Sequence, residues 1–187
     1  MSTNIAERND LLFAPEGLCS CGYEPSVVSP SEAAAMLRSL PRRWRSVVAF
    51  DLDAAEPETL LVERPFPTGW SALEHAGHVR DVLHALCIRV QRVLREDDPV
   101  LPETHVTPPS GANEQGPGVI LAALAHTAEQ LAQVVEMTPL TDWYRSGRRA
   151  GRTVKAIDLV REAVHEGVHH LKEASAQLEE LRLAGSF

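Results

Sequence analysis

The chain has 187 residues, of which 26 are acidic and 18 are basic, so its formal net charge is −8. This length suits one domain with its own core, and the acidic balance argues against a nucleic-acid-binding protein, which carries a basic surface stripe. No apolar run approaches the roughly 20 residues of a membrane-spanning helix, and no secretory signal is recognisable. The three cysteines do not make a disulfide framework. We therefore expect a cytoplasmic protein with neither a nucleic-acid nor a membrane partner.

Two regions are expected along the chain. Residues 1–29 predict an irregular N-terminal extension, because prolines and glycines interrupt any regular pattern. This extension contains Cys19 and Cys21 in the stretch CSCG. Residues 30–187 predict a helical domain. Its first helix should begin after Ser31 as the N-cap and end or kink at Pro41.

The remaining helices follow from their caps and apolar stripes. The second begins at Ser71, which with Glu74 makes a capping box. About twenty residues rich in Pro and Gly follow it, and a third helical pattern then runs to residue 137. A connector leads to the fourth helix, from about Thr153 to Arg182. Only LLVERPF, near residue 60, hints at a strand. Four helices of this length predict an all-α four-helix bundle.

Imidazoles lie on two of the predicted helices. In HEGVHH, residues 165–170, His165 and His169 are i, i+4 neighbours on a shoulder of the apolar stripe. On the second helix His78 is also on a shoulder, and His75 is nearer the stripe. Three neutral imidazoles with water suit Zn, Ni or Fe(II) in an open site. Surface or hydrogen-bonded histidines would also explain the pair, and periodicity does not choose between His78 and His75.

A family resemblance makes that choice. GWSALEHAGHVRDVL resembles the second-helix signature of the DinB-like superfamily, in which a histidine follows the Trp by eight residues, and counting from Trp70 reaches His78. The family's H-x-x-x-H motif corresponds to His165 and His169. The resemblance covers roughly residues 30 to 182. It implies an up-down-down-up bundle with a divalent metal, Zn before Ni or Fe, held by His78, His165 and His169.

The N-terminal cysteines resemble those of an actinobacterial branch of this superfamily. Its members often begin with a Cys-rich segment that ends in CGF or CGY, with two residues between the cysteines. Here only one residue separates Cys19 from Cys21, which is poor spacing for a zinc knuckle. We therefore favour a tight turn with free thiols. Cys87 is expected to be a packing residue.

Five further residues are candidates for the pocket or for contacts to the ligands. Asn113 and Glu114 belong to an N-E-Q stretch that relatives share, and they either hold the loop or face the metal. Asp81 follows an arginine, and this pair predicts an ion pair or a contact to a ligand. Trp143 and Arg148 lie in the connector, whose basic run is either a solvated loop or a receptor for an anionic substrate or thiol.

The predicted centre supports three functions. A metal on three imidazoles lowers the pKa of bound water or thiol. The resemblance implies a thiol S-transferase or thiol-dependent isomerase, with mycothiol as the expected cosubstrate and a small-molecule substrate. The second hypothesis is a metal-dependent hydrolase or cyclase of a specialised metabolite. The third is a non-enzymatic, stress-related bundle, against which the open coordination position argues. A homodimer is expected from the resemblance alone.

Overall fold

A computed structural model describes residue 19 and residues 21–49, 57–66, 69–103 and 111–184. Six α-helices and one hairpin occur in these ranges. The helices are α1 (Pro30–Ala49), α2 (Pro57–Val62), α3 (Ala72–Arg95), α4 (Ala112–Gln115), α5 (Pro117–Met137) and α6 (Ala156–Ala184). The strands are β1 (Ser146–Arg149) and β2 (Arg152–Lys155). Most of the predicted N-terminal extension, residues 1–18, lies outside the described residues.

The four long helices form a bundle around one hydrophobic core. Helix α1 packs against α5 and α6, and α3 packs against the same two helices. The largest core side chains are wholly buried and come from all four helices; they include Leu37, Leu40, Trp44, Leu83, Leu86, Leu124, Leu131, Leu159 and Leu178. The prediction of an all-α four-helix bundle is confirmed.

Serine caps start two of these helices. As predicted, the Ser71 hydroxyl accepts a hydrogen bond from the Glu74 amide at 3.0 Å, and the Ser71 amide donates to the Glu74 carboxylate at 2.8 Å. At α1 the prediction of Ser31 as the cap is wrong. Ser29 makes the reciprocal bonds with Glu32, at 2.9 and 3.4 Å. Pro30 is then the first helical residue, where its missing N–H costs no helical bond.

Pro41 does not end the first helix, so the first of the two outcomes predicted for it, an end or a kink, is wrong. Helix α1 continues through Pro41 to Ala49. A proline inside a helix removes one backbone hydrogen bond and costs about 3 kcal/mol. Leu40 and Trp44, on either side of Pro41, are wholly buried. The apolar stripe therefore continues across the proline, and its burial outweighs the lost bond.

The connector before the last helix holds a hairpin that the sequence pattern did not reveal. Strands β1 and β2 pair antiparallel, from Ser146 opposite Lys155 to Arg149 opposite Arg152. The turn residues Ala150 and Gly151 both have positive φ, 50° and 75°, which matches the twist of a two-residue hairpin. Helix α6 consequently begins at Ala156 and not at Thr153. Strands of four residues are too short to show alternation. The LLVERPF hint is wrong, since residues 60–62 are helical.

Helix α5 is long and apolar, although no apolar run of membrane-spanning length was expected. Among the described residues it is the one helix long and apolar enough to cross a membrane by length and composition, with a mean hydropathy of 1.3. It nevertheless has a polar face, on which Glu129 and Glu136 both pair with Arg38 of α1. Its buried face, which includes Leu124 and Leu131, lies in the core. In this fold α5 is a core helix of the bundle.

Gly167 sets how closely α6 approaches α1. A Cβ atom built on Gly167 would lie 2.5 Å from Leu40 Cδ1. Leu40 is wholly buried, so a shift of its side chain would press on other core side chains. The glycine therefore belongs to the packing of HEGVHH, and it fixes the position of the polar residues on both sides of it.

We expect Gly167→Ala to destabilise the protein by roughly 1–2 kcal/mol. Overpacking costs about 1–3 kcal/mol, and the better helix propensity of alanine returns up to about 1 kcal/mol. In a Leu40→Ala background the clash is absent, so the same substitution should become stabilising. Urea unfolding of the four proteins in this double-mutant cycle measures both effects. Equal destabilisation in both backgrounds would show that the Leu40 contact is not the cause.

Candidate metal centre

The two helices α3 and α6 face each other with buried polar side chains. His75 and His78 project from α3, and His165, Glu166 and His170 from α6; all five are at most 9% exposed. His169 is partly buried. Polar groups at such depth require partners or ligands. These side chains take part in three groups that could hold a metal ion, two of which share His170, and in each group the ligand atoms lie within 4.8 Å of one another.

The first group, which we name the central group, consists of His78, Glu166 and His170. His78 Nε2 lies 3.3 Å from Glu166 Oε2. His170 Nε2 lies 3.4 Å from the same oxygen. Two imidazoles from different helices thus converge on one carboxylate. Two histidines and a glutamate are a donor set that catalytic zinc sites use, with a further position left for water or substrate.

The second group, His75, His170 and Glu173, adjoins the first through His170. His75 Nδ1 lies 2.9 Å from His170 Nδ1. Glu173 Oε2 is 3.4 Å from His170 Nδ1 and 3.8 Å from His75 Nδ1. The two nitrogens of the His170 ring therefore face different groups. When Nε2 of His170 acts as a ligand, its Nδ1–H can donate a hydrogen bond to Glu173 or His75.

The third group, which we name the thiol group, consists of Cys19, Cys21, His165 and His169. Cys19 Sγ lies 3.3 Å from His169 Nδ1, and Cys21 Sγ lies 3.5 Å from His165 Nε2. The tight turn predicted at the cysteines is present, since the Gly22 amide donates to the Cys19 carbonyl at 2.8 Å.

The structure divides the three ligands named from the sequence. It places His78 in the central group, and His165 and His169 in the thiol group. On a helix, positions 166 and 170 point about 100° away from positions 165 and 169, and the former pair faces α3. Glu166 and His170 were not selected from the sequence. Their i, i+4 spacing was a usable signal, but the H-x-x-x-H one residue earlier has the same spacing.

Trp70 contacts three imidazoles at once. Its ring centroid is 5.3 Å from that of His75, 4.9 Å from that of His78 and 5.5 Å from that of His170, on which it stacks with an interplanar angle of 10°. The indole therefore forms an apolar wall of the central group. It reduces the water around the ligand atoms, and electrostatic interactions there are correspondingly stronger.

Burial sets the protonation of the α3 histidines. It lowers the pKa of His75 to about 3 and also lowers the pKa of His78. Both are therefore neutral at physiological pH, which is the form that binds metal. His78 Nδ1 is buried with no hydrogen-bond partner among the described residues. The ring is thus not fully engaged by its protein neighbours, which is consistent with a ligand site.

The charges on α6 compensate each other. Burial raises the pKa of Glu166, but hydrogen bonds to His170 and His78 outweigh it and hold that pKa well below its usual range. Burial likewise opposes the charged form of His170, yet its bonds to Glu166 and Glu173 raise its pKa. Without a metal, a buried carboxylate and an imidazolium therefore face each other. The donor set fits a divalent cation, which would replace this positive charge.

Three of the other candidates from the sequence, Asn113, Asp81 and Arg148, have structural partners. Asn113 Oδ1 accepts a hydrogen bond from the Ser71 hydroxyl at 2.6 Å, which ties α4 to the start of α3. Glu114 is exposed, and Trp143 is buried in the core. Asp81 pairs with its neighbouring arginine at 2.8 Å. Arg148 Nε donates to Asp98 at 2.8 Å. Asn113 favours the loop-holding role that was weighed for it, and Asp81 forms the expected ion pair.

The fold and the site define a four-helix bundle with a buried cluster of metal-competent side chains between two helices. Comparison with known families is more specific. The model of the DinB superfamily matches residues 36–174, which is more than half of the chain, and the protein belongs to this superfamily. The predicted resemblance is confirmed.

A solved structure supports the same fold. The chain is similar to YfiT from Bacillus subtilis, which is described as a probable metal-dependent hydrolase with an unusual four-helix bundle topology. The TM-score is 0.69 at 15% sequence identity, and the match covers 84% of this chain and 94% of YfiT. At this identity the likeness concerns the fold alone. No curated protein sequence matches the chain.

Metal binding at the central group should raise thermal stability. A ligand at about 100 times its Kd stabilises the native state by roughly 2.7 kcal/mol, which is about 5–10 °C for a domain of this size. We expect Zn²⁺ or Ni²⁺ to raise the Tm of the wild type, and the rise to be smaller in His78→Gln and His170→Gln. His84→Gln, at an exposed position of α3, is the matched control. Equal rises in all four proteins, measured by differential scanning fluorimetry, would argue against this site.

Proposed function

We propose that the protein is a metal-dependent hydrolase whose metal is held by His78, Glu166 and His170. The observation that carries the proposal is the approach of two imidazole nitrogens, at 3.3 and 3.4 Å, to one buried carboxylate oxygen. The fold likeness to a protein described as a probable metal-dependent hydrolase supports it. The donor set is that of zinc hydrolases with two histidines and a glutamate.

The bound ion would supply two kinds of chemistry, a lower pKa for water and polarisation of a carbonyl group. The chain's own residues prepare the site. Neutral His78 offers a lone pair without first losing a proton, since burial has lowered its pKa. Glu173 and His75 hold the His170 ring from its Nδ1 side. A carboxylate or another acceptor on that nitrogen fixes the tautomer and raises the basicity of the ligating nitrogen.

Trp70 and His75 are the residues placed to shape the space beside the metal. The indole excludes water from one side of the central group. His75, with a pKa of about 3, stays neutral, so it can donate a hydrogen bond from one ring nitrogen and accept one at the other. The substrate is expected to be a small molecule.

Thiol transfer is the second candidate. Three protein ligands leave one position open, and a thiol can occupy this position as readily as water. The support for S-transfer or isomerisation, with mycothiol as the cosubstrate, is the family resemblance set out above. The cytoplasmic location, the homodimer and the identity of the metal as zinc remain predictions.

A direct test compares activities of the metal-reconstituted protein. Wild type, Glu166→Gln and His78→Gln are loaded with Zn²⁺, Ni²⁺ or Fe²⁺ and assayed on panels of esters and amides. We expect metal-dependent hydrolysis that falls on the order of 100-fold or more in both variants, since loss of even an outer contact to a ligand costs about 10–100-fold. His84→Gln should be unaffected. Hydrolysis that survives chelation, or that both variants retain, would refute the proposal.

A parallel assay separates the two candidates. The same proteins are incubated with a low-molecular-weight thiol and an electrophile, and consumption of the thiol is followed. Thiol consumption without ester or amide hydrolysis, lost in His78→Gln, would assign thiol transfer to the site in place of hydrolysis.

A further inference from the structure

The thiol group shares no residue with the proposed hydrolytic centre. Cys19 and Cys21 come before the bundle in the sequence. Their sulfur atoms nevertheless lie next to His169 and His165 of α6, respectively. Neither cysteine belongs to the central group. His165 and His169 are not among the three proposed ligands of that centre. Four soft or borderline donors thus meet at one place that the proposed function leaves unexplained.

Two sulfur–nitrogen distances in the thiol group fit a tetrahedral metal site. Zn–S bonds of about 2.3 Å and Zn–N bonds of about 2.0–2.1 Å place sulfur and nitrogen ligands roughly 3.5 Å apart across a tetrahedron. The two sulfur–nitrogen distances are 3.3 and 3.5 Å. All four ligand atoms lie within 4.8 Å of one another. Two cysteines and two histidines are a common ligand set of structural zinc.

The backbone around the cysteines is shaped to present both sulfurs. Gly22 adopts φ of +71°, in the left-handed region, where glycine is favoured because it has no Cβ. The resulting turn lets the Tyr23 amide donate to Cys21 Sγ at 3.4 Å. Such an N–H bond stabilises a thiolate. The Tyr23 ring stacks on His165, with centroids 5.9 Å apart and an interplanar angle of 8°. Both sulfurs thus reach histidines of α6 although only one residue separates the cysteines.

The ring of His169 is contacted at both nitrogens, as the rings of metal-binding histidines commonly are. His169 Nδ1 faces Cys19, and its Nε2 lies 3.1 Å from Glu173 Oε1. A carboxylate on the distal nitrogen fixes the tautomer that leaves the proximal nitrogen free for the metal. The Lys172 ammonium donates to the Cys21 carbonyl, which further secures the turn against α6.

We infer that Cys19, Cys21, His165 and His169 form a second, structural metal site that binds a zinc-type divalent ion and fastens the N-terminal segment to α6. Binding releases to solvent the protons carried by the ligand atoms of the thiols and imidazoles, and the sulfurs bind as thiolates. With four protein ligands the coordination is complete, so the ion has no position for substrate. This inference does not rest on the proposed hydrolase activity.

Cobalt provides the decisive probe, because thiolate ligands give Co²⁺ an intense charge-transfer absorption in the near ultraviolet and imidazole or carboxylate ligands do not. The full chain is stripped of metal under reducing conditions and titrated with Co²⁺. We expect the charge-transfer band in wild type, in Cys87→Ser and in His78→Gln. We expect it to be absent from the double variant Cys19→Ser, Cys21→Ser. Cys87 is a matched control, a buried thiol on α3 about 14 Å along the helix from His78.

Metal content gives an independent reading. Zinc per chain, measured after gel filtration, should fall by about one equivalent in the double cysteine variant and stay unchanged in Cys87→Ser. A wild-type spectrum without the thiolate band, or equal zinc contents in wild type and the double variant, would overturn the inference. Because the wild-type spectrum is itself a test, the result does not depend on the variant folding. A wild-type protein that shows the thiolate band but no hydrolysis would count against the proposed function and not against this inference.

Discussion

The pairing of the Glu166 carboxylate is the interaction on which this site depends. A charge at 9% exposure between two helices is tolerated only with partners close by. His78 from α3 and His170 from α6 supply them. Two other local features help to bring α3 and α6 into the positions that these contacts need. The Ser71–Glu74 capping box starts α3 at the right place, and Gly167 brings α6 close to α1.

Glu173 connects the two proposed metal sites. One of its oxygens lies 3.1 Å from His169 of the thiol group, and the other lies 3.4 Å from His170 of the central group. Hydrogen bonds with both histidines outweigh burial and hold its pKa well below the usual range. The carboxylate is therefore charged and can orient a ligand of each site at the same time. One side chain thus contacts a histidine of each group.

Much of the fold was predictable because the deciding signals are local. Caps such as Ser71, apolar stripes and helix lengths predicted the bundle, whereas the choice of His78 came from the family resemblance, in which a histidine follows the Trp by eight residues. The partners of His78 were not predictable in the same way. The pairs 165/169 and 166/170 have identical spacing, and which pair faces α3 depends on the rotation of α6. That rotation depends on tertiary contacts such as the close approach of Gly167 to Leu40, two residues more than a hundred positions apart. Pro41 shows the same limit, since tertiary burial overrode a local rule.

The two registers of HEGVHH explain why three imidazoles occur in six residues. A helix turns by about 100° per residue, so neighbouring i, i+4 pairs face different directions. His165 and His169 face the N-terminal cysteines, and Glu166 and His170 face α3. The two directions also differ in chemistry. Toward the cysteines the donors number four, which is the number of protein ligands in a structural zinc site. Toward α3 they number three beside an indole, which leaves room for a reactant. One stretch of helix can thus anchor the chain on one side and hold a reactive ion on the other.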